Sequence, residues 1–420
     1  MLYAGVMGET GHIVVIGAGI VGTATACYLR RDGHEVTLID PEPPGTMTSF
    51  GNAGAISSHA CLPQTGPGPL LNAPHWLLDP LGPLFIRWRH LPEFLPWLIR
   101  FIQAGRPEPM RRQMDAMAAL HRLALEAHLD LAAEAGITGL IRQNGTLTVY
   151  ESTDSFRTAA AGRDSQRQRG FEVEELSGDE LRQLEPGLAP IFPHAAFFPG
   201  GAHSIDPGAL AAGLATAFIR GSGRVLAARV AGFDFDDNRP VAARTEAGAV
   251  AADGFVIAAG AWSAGLAEML GEKVVLESER GYHLTLADPG IEIRRPISFH
   301  DRKFMATPME MGLRLAGTAE FAGLEAPPNW KRIEPLRAHA RKAFRGIHAE
   351  EGSCWMGNRP ATPDSLPVLG ASQLHRNVWY GFGHGHLGLT AGPISGRHIA
   401  DLAAGRPPAI DLAPYRIDRF

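Results

Sequence analysis

Gly17-Ala18-Gly19-Ile20-Val21-Gly22 is a GxGxxG run lying between an apolar stretch, His12 to Ile16, and an amphipathic one that ends at Arg30 or Arg31. The first stretch predicts a short buried strand and the second a helix stopped by Gly33. Glu35 to Ile39 predicts a second strand, closed by Asp40 and Pro41. Together they make a β-α-β unit of about thirty residues. Gly17 permits the tight turn, Gly19 lets backbone approach a pyrophosphate, and Gly22 lets helix and strand pack closely. The helix N-terminus then presents unpaired N–H groups to the phosphates, and Ala18, Ile20 and Val21 between the glycines are further candidate cofactor contacts. A carboxylate at Asp40 suits a ribose diol. Such a unit predicts a Rossmann-like dinucleotide-binding domain.

The chain has 420 residues, more than one ordinary core accommodates, so a second domain is expected. The apolar share is 45% and the charged share 20%, ordinary for a globular protein. Lys plus Arg is 39 against 44 for Asp plus Glu, a formal net charge of −5, which gives no basic footprint for nucleic acid. Cys27, Cys61 and Cys354 stand far apart, with neither a CxxC pair nor a metal spacing, and read as free thiols in a reducing compartment. No metal is expected. Met1 to Thr10 lacks the pattern of a secretory signal. The nearest approach to a membrane span, Leu81 to Gln103, is interrupted by Arg87, Arg89, His90, Glu93 and Arg100, and Pro92 and Pro96 are expected to break its helix. A cytoplasmic location is expected, with peripheral contact at the inner face of the membrane as an option.

Further along, Pro63 to Pro109 reads as irregular chain with short helices, and Met110 to Ala135 as one long helix stopped by Gly136. Ser155 to Arg169 reads as a charged, solvated helix. Asp206 and Pro207 open a helix that runs to Arg220. Strands are expected at Thr146–Tyr150, Arg224–Val230, Val241–Thr245, Phe255–Ala258 and Gly281–Leu286, with alternating strands over Phe304 to Phe321. Trp330 to Phe344 and Leu389 to Ala403 predict helices.

FAD and NAD share the fingerprint, so three distant elements bear on the choice. Ser49, Asn52, Ala53, Gly54 and Ile56 form a small-residue loop whose backbone can lie flat against a ring. The strand ending at Ala259, followed by Gly260-Ala261-Trp262-Ser263, suits a turn beneath a dinucleotide, and Val230 is a further candidate cofactor contact. The run Gly383-His384-Gly385-His386-Leu387-Gly388 precedes an apolar helix. That helix points its positive end at the same place, and a reduced flavin carries negative charge there, an attraction of about 0.3–1 kcal/mol. NAD has no such need, which favours FAD.

This constellation resembles the D-amino-acid dehydrogenase group of FAD-dependent, glutathione-reductase-like oxidoreductases. The resemblance is carried by Gly17 to Gly22, the Ser49 to Gly54 loop, Gly260 to Ser263, the segment Gly357-Asn358-Arg359-Pro360-Ala361-Thr362-Pro363-Asp364, and Gly383-His384-Gly385. It implies a Rossmann-like FAD domain (α/β) built from residues 10–60, 200–275 and 355–420, and a mixed-sheet substrate domain (α+β) from 61–199 and 276–354. It also implies hydride transfer from the Cα of a small amino acid, D-proline or hydroxyproline types included, to flavin N5. The imine is then hydrolysed, or kept if cyclic. The protein orients the substrate and need not supply a side-chain base. Glycine-oxidase-like and sarcosine-oxidase-like enzymes resemble the chain less closely. The former carry an arginine where this chain has Ala306-Thr307-Pro308.

Among candidate substrate contacts, Arg359 offers a bidentate fork for a carboxylate, ahead of Arg302 and Arg314. Tyr282 and His283 are candidates for the two ends of the substrate, and His384 for flavin or substrate. The aromatics Phe85, Trp88, Phe94, Trp97 and Phe101, interleaved with Arg87, Arg89 and Arg100, read either as core or lid or as a surface lying on an anionic membrane. The latter suits a quinone or another electron carrier as acceptor. A NAD-linked dehydrogenase and a flavin subunit of a larger complex remain alternatives.

Overall fold

The structure, a computed structural model, describes residues 10–65, 82 and 84–420. The fingerprint folds as its pattern requires. His12–Ile16 is a strand and Ile20–Arg31 a helix, with Glu35–Asp40 the next strand. The two strands pair in parallel, Val15 beside Leu38. Gly17 sits at φ 107, where only glycine is at ease.

A six-stranded sheet takes its strands from three separated stretches of chain. Its order is Arg224–Ala227, Glu35–Asp40, His12–Ile16, Gly254–Ile257, Val378–Phe382 and Val368–Ala371, the last pairing antiparallel. Alternating residues bury both faces. Val15, Leu38, Val256 and Trp379 face a helical layer, and Val14, Ile39, Phe255 and Tyr380 face the opposite layer. The helical layer is tightly drawn. In Gly388–Ala403, a Cβ on Gly396 would lie 2.6 Å from the Thr25 nitrogen of the fingerprint helix. The parallel strands end at one edge, so Gly17, Asp40, the Ala258–Gly260 turn and the Phe382–Gly385 loop converge there. Ligands of open α/β sheets bind at this edge.

Among the described residues the second sheet has nine strands. Its central part runs Ser353–Ala361, Glu277–Leu286, Gly312–Phe321, Phe304–Met309, Ile297–Phe299 and Thr146–Tyr150. On one face Tyr282, Leu284, Leu313, Leu315 and Phe304 pack onto Leu336, Ala340 and Ala343 of the Glu334–Ala343 helix. The other face looks toward the converging loops of the first sheet.

Several expectations need correction. Leu91–Ala104 is one helix of 14 residues, despite Pro92 and Pro96. Pro92 occupies the first turn, where its missing N–H has no helical partner to lose. Pro96 forfeits one bond, to the carbonyl of the exposed Pro92, which water can satisfy. The expected helix from Met110 to Ala135 is two, Pro107–His121 and Ala124–Ala135. Arg122 and Leu123 keep right-handed helical angles, so the bonding is interrupted while the apolar face stays in phase. The charged helix over 155–169 is likewise two short ones, Thr153–Thr158 and Ala160–Gln168, and it is not merely solvated. Its Arg163 is buried, bonded to Glu175 at 3.0 Å with its guanidinium over the Phe156 ring. The part of the Pro63–Pro109 segment at 66–81 and 83 lies outside the described residues.

Candidate active site

One cavity of about 1210 Å³ runs from the edge of the first sheet to the free face of the second. That exceeds the roughly 300–1,000 Å³ of ordinary small-molecule pockets. At its first end the three fingerprint glycines divide their work. A Cβ on Gly17 would lie 2.4 Å from the Ala258 carbonyl oxygen, and one on Gly22 would lie 1.8 Å from that of Gly17. These two therefore fix the turn against the neighbouring strand, and Ala18 is buried in the core. Gly19 differs, because a Cβ there meets nothing nearer than Ser49 Oγ at 3.5 Å, and Gly19, Ile20 and Val21 line the cavity. Ser49 Oγ accepts from the Ile20 N–H at 2.9 Å and so caps the helix start. Asp40 accepts from the N–H groups of Ala18 (2.7 Å) and Glu42 (2.9 Å) and keeps acceptor capacity toward the cavity. Burial raises its pKa above the usual value.

The small-residue loop is held from the second sheet. Arg314 donates through Nη1 to the carbonyls of Phe50 (2.8 Å) and Asn52 (2.7 Å). His283 Nδ1 donates to the Gly51 carbonyl at 3.0 Å. Asn52 Oδ1 accepts from the Gly54 N–H at 2.8 Å, closing a turn in which Gly54 has φ 81. Asn52 and Ala53 line the cavity, as do Ala55 and Ser57. Ile56 points the other way, into the core, because successive strand residues face opposite sides. Val230, Ala259, Gly260 and Trp262 line the cavity opposite this loop.

In the C-terminal loop Gly385, at φ 54, has open space where a Cβ would be, and His384, His386, Leu387 and Gly388 line the cavity with it. Gly383 lies behind, its Cβ position 2.9 Å from Thr362. His384 shares a hydrogen bond of 2.9 Å with Ser395 Oγ, and His386 bonds Gln64 at 3.0 Å.

The sheet wall of the cavity reads as rows across strands. Trp355, His283, Ala316, Met305 and Ser298 are register partners in turn, and all of these but His283 line the cavity. The His283 ring stacks on Trp355 with centroids 5.3 Å apart. A second row is Arg359, Glu279 and Phe321. Arg359 Nη1 donates to Glu279 Oε1 at 2.6 Å and to the Thr318 carbonyl at 3.2 Å. Its guanidinium lies across Gly281, where a Cβ would come within 2.2 Å of Nη2. Thr318 sits at φ 59, unusual for a branched residue, in the bulge that faces Gly281. Beyond Phe321, the rings of Phe94 (4.5 Å) and Trp97 (5.3 Å) close an apolar end, with Phe101 stacked on Trp97. Trp97 Nε1 donates to the Ala361 carbonyl at 2.8 Å, which ties this helix to the Ser353–Ala361 strand.

Tyr282 touches the cavity but does not share the row with Arg359. Its hydroxyl donates to Glu320 and accepts from the Asn329 N–H at 2.9 Å, on the helix-packed face of the sheet. Burial and the Glu320 carboxylate push its pKa up to about 12. Arg280, fully buried, stands 3.7 Å from the same carboxylate. Arg302 is engaged by Glu151, with one contact at 2.8 Å.

Over nearly its whole length the chain matches a known family. Residues 12–402 fit the DAO family, described as FAD dependent oxidoreductase. The chain belongs to the DAO family of FAD-dependent oxidoreductases. It is 41% identical to a D-amino-acid oxidase of Bradyrhizobium diazoefficiens, over 99% of this chain and 100% of that one. It is 35% identical to a D-amino acid dehydrogenase of Paramagnetospirillum magneticum, over 97% and 98% of the two chains. Glycine oxidase from Geobacillus kaustophilus shares the fold, with a TM-score of 0.74 at 22% identity over 98% of this chain and 100% of that one.

The DAO-family cofactor, FAD, fits the residues present. Backbone faces open cavity at Gly19, Gly260 and Gly385, where side chains would intrude, and Asp40 waits at the end of its strand. Among the described residues no group of His, Cys, Asp and Glu gathers as a metal site. The cysteines are free, Cys27 and Cys61 buried and Cys354 exposed.

The histidines of this DAO-family chain give a pH expectation. Burial holds His121 and His128 down to about 4, and burial with His121 nearby holds His384 down to about 3. The unfolded chain takes up these protons below its ordinary value near 6.5, so it binds more protons than the fold between there and about 4. Stability is therefore full above about pH 6.5 and falls as pH drops, by up to about 1.4 kcal/mol per unit for each such histidine. Thermal unfolding at pH 5.5 should lie clearly below that at pH 7.5. A melting temperature constant across that range would mean these imidazoles are not buried neutral.

Proposed function

We propose that this DAO-family chain oxidises D-amino acids with apolar side chains. The observation that carries the reading is the row Arg359–Glu279–Phe321, which sets a charged grip directly beside the cage of Phe94, Trp97 and Phe101. Bound FAD supplies the two-electron acceptor for hydride from Cα. Gly17, Gly19, Gly22, Asp40 and the 49–54 loop would hold it. Arg359 would take the substrate carboxylate, His283 and Arg314 would fix the loop beneath the ring, and the aromatic cage would exclude water. The names of the curated relatives support the D-amino-acid class.

For the acceptor, we infer a quinone or similar carrier. The support is the outward face of the Leu91–Ala104 helix and its entry, where Trp88 is 76% exposed and Leu95 and Ile99 are exposed beside Arg89 and Arg100. The inward aromatics Phe94 and Trp97 belong to the cavity instead. Among the described residues no helix is long and apolar enough to cross a membrane.

One experiment addresses both points. The visible flavin bands of the purified protein should bleach anaerobically on adding D-phenylalanine or D-leucine, and should resist glycine and the L-enantiomers. Bleaching by D-proline alone would replace this substrate class with a cyclic one. Recolouring on adding a soluble quinone, faster than on admitting air, is expected, and rapid recolouring by air alone would overturn the carrier.

A further inference from the structure

Glu279 was given no role by motif or resemblance, yet it lies at the centre of the grip. We propose that Glu279 binds the α-ammonium group of the substrate, making Arg359 and Glu279 together a receptor for an amino-acid zwitterion. This rests on the amino-acid reading above and adds the second half of the recognition.

The pair is incomplete on both sides. Glu279, with its side chain only 6% exposed, accepts from Arg359 through Oε1, and among the described residues Oε2 has no hydrogen-bond partner. A buried carboxylate ordinarily fills its acceptor sites. On Arg359 it is Nη1 that is occupied, while Nε and Nη2 have no partner among the described residues. One free carboxylate oxygen and one free guanidinium edge therefore adjoin on one wall. An α-amino acid carries the complementary charges on a single carbon.

The neighbouring charges are otherwise engaged. Glu320 serves Arg280 and Tyr282 on the opposite face, and Glu277 bonds His90 at 3.1 Å. Arg314 is spent on the loop carbonyls. Among the described cavity-lining residues the other carboxylates are Asp40 and Glu42, at the dinucleotide end. Charge balance points the same way. Arg359 and Glu279 are jointly neutral, and a zwitterion adds no net charge to a poorly solvated wall. A carboxylate without an amine adds an unpaired one.

The test compares D-phenylalanine with 3-phenylpropanoate, which differs from it only in lacking the amine. Flavin-loaded wild type and Glu279→Gln are titrated with each, by anaerobic bleaching for the first and by perturbation of the flavin bands for the second. Glu279→Gln should need roughly 10-fold or more D-phenylalanine. It should bind 3-phenylpropanoate as well as wild type or better, since Arg359 is released. Glu279→Asp, which keeps the charge, should recover part of the D-phenylalanine loss, and it serves if the glutamine variant loads flavin poorly. Equal weakening of both ligands would show that Glu279 only props Arg359, and no weakening of either would remove it from the site. Both results overturn the proposal while leaving the amino-acid reading intact. A wild type that no amino acid bleaches would overturn that reading itself.

Discussion

Arg359→Lys should purify with an unchanged flavin spectrum and lose most of its kcat/KM for D-amino acids. The expected loss is roughly 30-fold to several thousand-fold, equivalent to about 2–5 kcal/mol for breaking a charged hydrogen bond in a desolvated site. The reason is geometric. Arg359 already commits Nη1 to Glu279 at 2.6 Å and to the Thr318 carbonyl at 3.2 Å, and only a planar fork leaves a second edge for substrate. A lysine ammonium has one point of charge, and Glu279 would hold it. The cofactor loop would be untouched, since its anchors are Arg314 and His283. Steady-state kinetics beside an absorption spectrum decide the matter. Wild-type kinetics in Arg359→Lys would sink the assignment. Arg302 would then be a poor replacement, because Glu151 already engages it.

What the sequence could and could not convey follows from how far apart the determinants lie. The β-α-β fingerprint is local, so strand, turn, helix and acid are all legible within 12–40. The Arg359–Glu279 pair spans 80 residues and exists only because two antiparallel strands take one register out of several. Arg359 could be singled out by its motif, but Glu279 could not. Tyr282 and His283, both candidate substrate contacts, are neighbours on one strand. Neighbours on a strand face opposite sides. The structure sends Tyr282 to Glu320 and His283 to Gly51. Phe94 and Trp97 were legible as apolar, but their direction depends on a helix that the two prolines concealed.

Gly19→Val should yield a folded protein without flavin, and the contrast with its neighbours makes this a test of binding and not of folding. A Cβ at Gly22 would overlap the Gly17 carbonyl oxygen at 1.8 Å, and one at Gly17 would press the Ala258 carbonyl at 2.4 Å from a left-handed backbone. Substitution at either breaks the packing of helix on strand, so loss of flavin there would say little. Gly19 has φ −70, which any residue adopts, and its nearest neighbour in the direction of a Cβ is 3.5 Å away. The protein alone therefore tolerates a valine. What the valine fills is the open side, where Gly19, Ile20 and Val21 line the cavity and a pyrophosphate would lie against bare backbone. Circular dichroism and thermal unfolding should show a folded chain, whereas the visible bands should be absent and added FAD should not restore them. Gly19→Val purified with a full complement of flavin would place the pyrophosphate elsewhere, and with it the whole orientation of the cofactor in this cavity.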